Sequence, residues 1–313
     1  MQAEPSRQSR HFDAFFSHAS QDYKFASGLV HSLNAANLKV WFDDSKIRVG
    51  ALLRNQLQSA IRDSRVLVLL WSEDAYRSRW VMAEMFTAFH LSRLIIPCVI
   101  DETPLPQFLE NSVYLDRRRD ETQIAEKLGR AIREAPAAAN EFVILPASQT
   151  PLLASFIKGI AAGQYAVLEG LEKDFQKAAD ANGHVDSALE TVKKMAPQHP
   201  DVLNLAGYQC KNNYIIKHWD AIRDGRAPKD ELLDRGERYF FETLCYNPAE
   251  ASAVNGLGSI LLYERELDAA EFFVRRAIEL VQRSGGQYEA AQRDLELILS
   301  LKLRQTGTAA GEP

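Results

Sequence analysis

VLVLLW, residues 66–71, followed after a polar gap by SRWVMAEM, residues 78–85, is the stretch on which the fold turns. The first segment is a short unbroken apolar run and reads as a buried strand ending at Ser72. The second opens on Ser78, a good helix N-cap because its hydroxyl can accept from an orphan amide of the first turn. Trp80 and Glu84 then stand at i and i+4, which puts an indole and a carboxylate on one helical face. In open α/β sheets, ligands collect at the carboxyl ends of the strands. An aromatic and a carboxylate placed there suit the stacking of a flat ring and the steadying of a developing positive charge. The same spacing is met by a Trp packed on the sheet and a Glu in water, so the flanking sequence has to decide.

On either side the alternation continues. FDAFFS, 12–17, is an aromatic strand, and SHASQD, 17–22, a polar turn before a helix marked by Phe25, Leu29 and Leu33. LKVWF, 38–42, is a second strand, DDSKIRVG, 43–50, a charged loop, and Leu53, Leu57 and Ile61 mark the next helix. Beyond the central helix, LIIPCVI, 94–100, is a fourth strand, VYLD, 113–116, a fifth, and residues 121–134 a helix. Short apolar strands alternating with helices predict a flavodoxin-like, doubly wound, parallel five-stranded sheet over residues 11–134.

These marks, in this order, resemble a TIR domain of the bacterial type. FDAFFSHASQD is similar to the family's first strand and loop, and VWFDDSKIRVG to its second strand and BB loop. SAIRDSRVLVLLWSEDAYRSRWVMAE is similar to its third unit, with the S-x-W-x-x-x-E pattern as Ser78, Trp80 and Glu84. The chain departs at Ala51, Leu52 and Leu53, where the family often has a small polar residue after the glycine. Enzymatic members cleave the nicotinamide–ribose bond of NAD, so the resemblance implies NAD as substrate, with no separate cofactor. It implies that Glu84 is the catalytic carboxylate and that Trp80 stacks on a ring of the nucleotide. Phe16, Ser17 and His18 would form one wall and Asp43, Asp44, Lys46 and Arg48 the other, with Ser72 beside them. Blander roles exist: Phe16 suits a core, His18 a polar turn, and Lys46 and Arg48 a solvated loop. The resemblance further implies self-association through TIR–TIR contacts that complete the site, and a part in bacterial antiviral defence. A non-enzymatic adaptor and a secreted virulence factor are the rival readings.

Residues 135–151, APAAANEFVILPASQTP, read as a linker in which FVIL docks on a neighbour. From 152 to 304 the period is helical throughout. ASAVNGLGSILLYERELDAAEFFVRRAIEL, 251–280, carries Leu257-Gly258 and then Ala270, Val274 and Ala277 at helix spacing, after Asn247-Pro248. Ala206-Gly207 with Gly236, Phe240 and Thr243 occupy matching positions upstream, and Ala188, Val192 and Met195 further up still. This half resembles tetratricopeptide repeats, about three of them, with an insertion at 221–231 and with Val254 and Leu261 where that family often has Trp and Tyr. A helix at 287–303 caps the stack, and the tail TGTAAGEP is expected to lack structure. Such arrays bind partners, so a protein or small-molecule trigger is expected on the repeats.

Composition narrows the class. The 313 residues suffice for two domains, and a net charge of −5 offers no general attraction to nucleic acid or anionic membrane. No run is expected to approach the roughly 18 apolar residues of a membrane span, and the N-terminus MQAEPSRQSR lacks the apolar region of a secretory signal. Cys98, Cys210 and Cys245 are odd in number and far apart, which fits free thiols in a reducing cytoplasm. The seven histidines show no metal-ligand spacing, so no metal is expected.

Overall fold

The computed structural model describes residues 12–42, 53–120, 122–136 and 147–309. Two compact units divide at Val143 and Ile144, inside the stretch assigned to the linker; its FVIL segment lies outside the described residues.

The first unit is a five-stranded parallel sheet in the order β2-β1-β3-β4-β5. Its strands are β1 (Phe12–Ser17), β2 (Val40–Trp41), β3 (Ser64–Trp71), β4 (Leu94–Val99) and β5 (Leu115–Asp116). The helices between them are α1 (Tyr23–Ala35), α2 (Leu53–Asp63), α3 (Glu73–Arg77), α4 (Arg79–His90), α5 (Arg117–Asp120) and α6 (Ile124–Glu134). Side chains of β1 alternate across the sheet as the pleat requires. Ala14 and Phe16 fall in a core shared with Leu29 and Leu33 of α1, Val66, Val68 and Leu70 of β3, and Leu128 and Ile132 of α6. β3 is central: Val66 through Trp71 are all buried to 0% exposure, which is why this strand reads as a continuous apolar run. The fifth strand is shorter than 113–116, since Val113 is 94% exposed and pairing begins at Leu115 opposite Cys98.

The second unit is entirely helical among its described residues. It comprises α7 (Pro151–Gly170), α8 (Phe175–Met195), α9 (Pro200–Lys217), α10 (Trp219–Arg223), α11 (Glu231–Tyr246), α12 (Ala251–Tyr263), α13 (Leu267–Arg283) and α14 (Glu289–Ala309). Neighbouring helices pack as α7 on α8, α9 on α11 and α12 on α13, with α14 against α13. The close approaches depend on glycine. A Cβ on Gly207 would meet the Phe240 ring at 2.6 Å, one on Gly256 at 2.3 Å, and one on Gly258 would meet Val274 at 2.6 Å. Phe240 is therefore clamped between α9 and α12 at 0% exposure. The small α10 occupies part of the expected insertion.

Three expectations need correction. In the last two turns of α8 the buried positions are Leu189 and Val192, whereas Ala188 and Met195 face outward, so the upstream repeat register is displaced. α14 continues to Ala309, because the single Gly307 costs only about 1 kcal/mol in a helix and does not end it. Helix α7 is long and apolar enough, by length and composition, to cross a membrane. Its apolar residues are diluted by Gly, Ala and Ser, so no run is visible. The helix nonetheless packs Leu153 and Ile160 into a core with Leu189, Val192 and Val202.

Candidate active site

The strand order places the topological switch point between β1 and β3, where consecutive connections leave toward opposite sheet edges and a cleft opens at the strands' carboxyl ends. β1 ends there with Ser17, in register with Leu69 of β3. β3 ends at Trp71, and the chain passes through α3 into α4. Each helix starts on a capping serine: Ser72 accepts from the amide of Ala75 at 3.0 Å, and Ser78 from that of Val81 at 3.4 Å. The caps fix where α4 begins. Trp80 consequently lies in its first turn, 37% exposed, with Glu84 one turn further on.

Ser17 Oγ donates to Glu84 Oε2 at 2.5 Å. The serine is 1% exposed and the carboxylate half-buried. A hydrogen bond of this length fixes the carboxylate's orientation. A second pair crosses the same cleft in the opposite sense. Ser72, at the end of β3, donates to Asp22 Oδ2, beyond the end of β1, at 2.6 Å. Each strand end thus contributes a serine to a carboxylate that follows the other strand. Burial pushes the Asp22 carboxyl above the ordinary range despite the Ser72 bond, with Asp74 and Asp101 adding to the rise and His18 opposing it. Burial also acts on Asp101, but the amides of Glu73 and Thr103, at 2.9 and 2.8 Å, hold that carboxyl low.

His18, directly after Ser17, stacks on Phe42 with ring centroids 4.7 Å apart, Tyr23 stacks on Phe42 at 5.7 Å, and the His18 and Tyr23 rings themselves lie 6.1 Å apart. These rings make an aromatic bank at the ends of β1 and β2. Phe16 lies beneath it, buried in the core at 2% exposure and touching Phe42 edge-on, so pleat alternation puts it under the rim rather than in the wall. Ser72, 3% exposed, works as a cap and as the Asp22 partner. Asp43, Asp44, Lys46 and Arg48 lie outside the described residues. Asp22, Tyr23 and Phe42 are not among the residues singled out from sequence; Phe42 directly follows β2, whereas Asp22 and Tyr23 lie past the turn after β1 and carry no local signal. Among the described residues no group of three His, Cys, Asp or Glu side chains is placed to hold a metal ion. Cys98, Cys210 and Cys245 are all buried.

The family model for the TIR domain matches residues 14–132. Among curated relatives, a probable 2′ cyclic ADP-D-ribose synthase, TcpO, of Methanobrevibacter olleyae is 32% identical over 98 residues, covering 30% of this chain and 29% of that protein. The NAD(+) hydrolase PdTIR of Paracoccus denitrificans is 34% identical over 80 residues, covering 25% of this chain and 27% of that protein. The 2′ cyclic ADP-D-ribose synthase AbTIR of Acinetobacter baumannii is 32% identical over 75 residues, covering 24% and 28%. This chain thus spans less than a third of the length of each of these relatives. Sheet order, helix placement and family match together make residues 14–132 of this chain a TIR domain.

Proposed function

We propose that the chain cleaves the nicotinamide–ribose bond of NAD, with Glu84 as the catalytic carboxylate. The observation that carries this reading is the Ser17–Glu84 bond at the switch point, beside a half-exposed Trp80. The leaving nicotinamide already bears a positive charge, so its departure calls for no general acid. The ribose carbon becomes oxocarbenium-like, and a fixed carboxylate stabilises that cation while accepting from the ribose hydroxyls. Ser17 holds the carboxylate aimed. Trp80 and the His18–Phe42–Tyr23 bank offer faces for the flat rings of the dinucleotide. The activities for which the relatives are named, NAD hydrolysis and 2′ cyclic ADP-D-ribose synthesis, share this first bond cleavage and differ in what captures the cation.

Self-association of TIR domains raises activity in this reading, a ligand or partner on the helical unit triggers it, and the protein acts in the cytoplasm, in antiviral defence. The test incubates purified protein with NAD over a wide range of protein concentration. Nicotinamide release whose specific rate climbs with oligomer size is expected. A flat specific rate as oligomer size changes contradicts the self-association step, and intact NAD throughout favours the adaptor. Chromatography of the ribosyl product separates linear from cyclic ADP-ribose.

A further inference from the structure

Inside the helical unit, α9, α12 and α14 gather a second polar cluster. Lys211 of α9 is 7% exposed, and its ammonium makes no hydrogen bond among the described residues. The face of the Tyr208 ring lies 4.9 Å from its Nζ. Asp294 of α14 is near enough to act on it through space, yet Asp294 Oδ2 is engaged elsewhere, accepting from Ser259 at 2.5 Å and from Asn255 at 3.2 Å. Asn255 of α12 is 1% exposed, and its Oδ1 has no partner. Tyr288, leading into α14, hydrogen-bonds Tyr208, whose hydroxyl donates to the Ser252 carbonyl at 2.7 Å.

The adjoining polar seam is built differently. Gln164 donates to the Leu205 carbonyl and to Gln209, and Gln209 donates to Asn182, at 2.8 to 3.0 Å. There one amide supplies what the next requires. A buried amide oxygen without a partner is costly, as is an ammonium held largely out of water with no counter-group bonded to it, and a native interior seldom tolerates them without a role. Burial pushes the Lys211 amine below the ordinary lysine range, with Asp294 opposing the shift.

We propose that Lys211, Asn255 and Asp294 form a binding site for a compact oxyanion that carries hydrogen-bond donors on the same molecule. Lys211 takes the anionic oxygen. Asn255 Oδ1 and the Asp294 carboxylate accept from N–H or O–H groups on the ligand body, and the Tyr208 and Tyr288 rings bound it. Sugar phosphates and free amino acids share this chemistry. Because the three residues sit on three helices, an occupant ties α9, α12 and α14 together.

The test is calorimetric titration of the full chain with ribose 5-phosphate, with L-glutamate and with inorganic phosphate, and with each of them on Lys211→Met. One donor-bearing anion binding more tightly than inorganic phosphate is expected, and which of the two binds identifies the source. Lys211→Met is expected to lose that binding while melting no lower than wild type, because an unpaired buried charge has been removed. A plain Lys211–Asp294 ion pair requires the reverse: lower melting and no ligand. Absence of binding by all three probes overturns the proposal, as does unchanged affinity in Lys211→Met. Should that variant not fold, Asn255→Asp replaces it, and an affinity loss under about tenfold there overturns the proposal as well. Neither readout involves NAD, so the outcome is independent of the TIR chemistry.

Discussion

Two buried polar clusters, one in each unit, are built in opposite ways. At the β1/β3 cleft of the TIR domain, both serine–carboxylate pairs are closed: Ser17 on Glu84 and Ser72 on Asp22. In the helical unit, Lys211 and Asn255 are left open beside a seam of amides that is closed. Closed pairs fix groups before substrate arrives, as chemistry on a developing cation demands. Open ones store a requirement that a ligand can meet. Preorganisation and receptivity are thus segregated along one chain.

That contrast can be broken experimentally. The largest effect is expected for Glu84→Ala, which lowers nicotinamide release by about a thousandfold, the upper range for loss of one transition-state electrostatic contact. Circular dichroism and melting remain those of wild type, since Glu84 is half-buried at a cleft rather than in the core. Undiminished turnover by the folded variant would falsify the assignment of the site.

Next is Gly256→Ala. Its methyl would enter the Phe240 ring, costing about 1–3 kcal/mol of the helical unit's stability. Limited proteolysis is expected to open α9–α12 early while the TIR domain stays resistant. Simultaneous loss of both units would show that they fold as one cooperative body.

Ser17→Ala is a smaller step. Glu84 keeps its place but loses its fixed orientation, so kcat falls about tenfold, the worth of one charge-assisted bond, with KM little changed. A change confined to KM would make Ser17 a binding residue only.

The smallest effect belongs to Asp230, which caps α11 through the Leu232 amide. The Lys217 ammonium, that amide and His218 hold its carboxyl well below the usual range. A depressed carboxyl contributes stability above its unfolded value, near pH 4, and loses it as pH falls through the folded one. Asp230→Ala is therefore expected to cost about 1 kcal/mol at neutral pH, with the gap to wild type narrowing in strong acid. A gap that is constant with pH contradicts the assignment.

Much of the TIR fold was legible because β3 is buried on both faces and so reads as an unbroken apolar run, and because Ser78 caps α4 where its hydroxyl predicts. The i, i+4 relation of Trp80 and Glu84 followed from that cap. What stayed hidden was long-range: nothing local in SQD reveals that Asp22 reaches the cap of α3, or that Ser17 turns to Glu84 rather than to open solvent. Phe16 was ambiguous because an aromatic at a strand end suits both rim and core, and only the pleat decides. In the helical unit, Gly207 and Gly258 announced close packing, but Gly256 did not, since its requirement arises from Phe240 of a different helix. The register of α8 slipped because its buried stripe is thin, with Leu189 and Val192 alone buried in its last two turns.

The most direct trial of the account is a crystal structure of the protein with a non-cleavable NAD analogue. The account predicts the nicotinamide ribose against Glu84, its hydroxyls donating to the carboxylate while Ser17 keeps hold of Oε2, and a flat ring on Trp80. A dinucleotide bound away from the β1/β3 cleft, or a Glu84 carboxylate turned from the ribose in every copy, would contradict it.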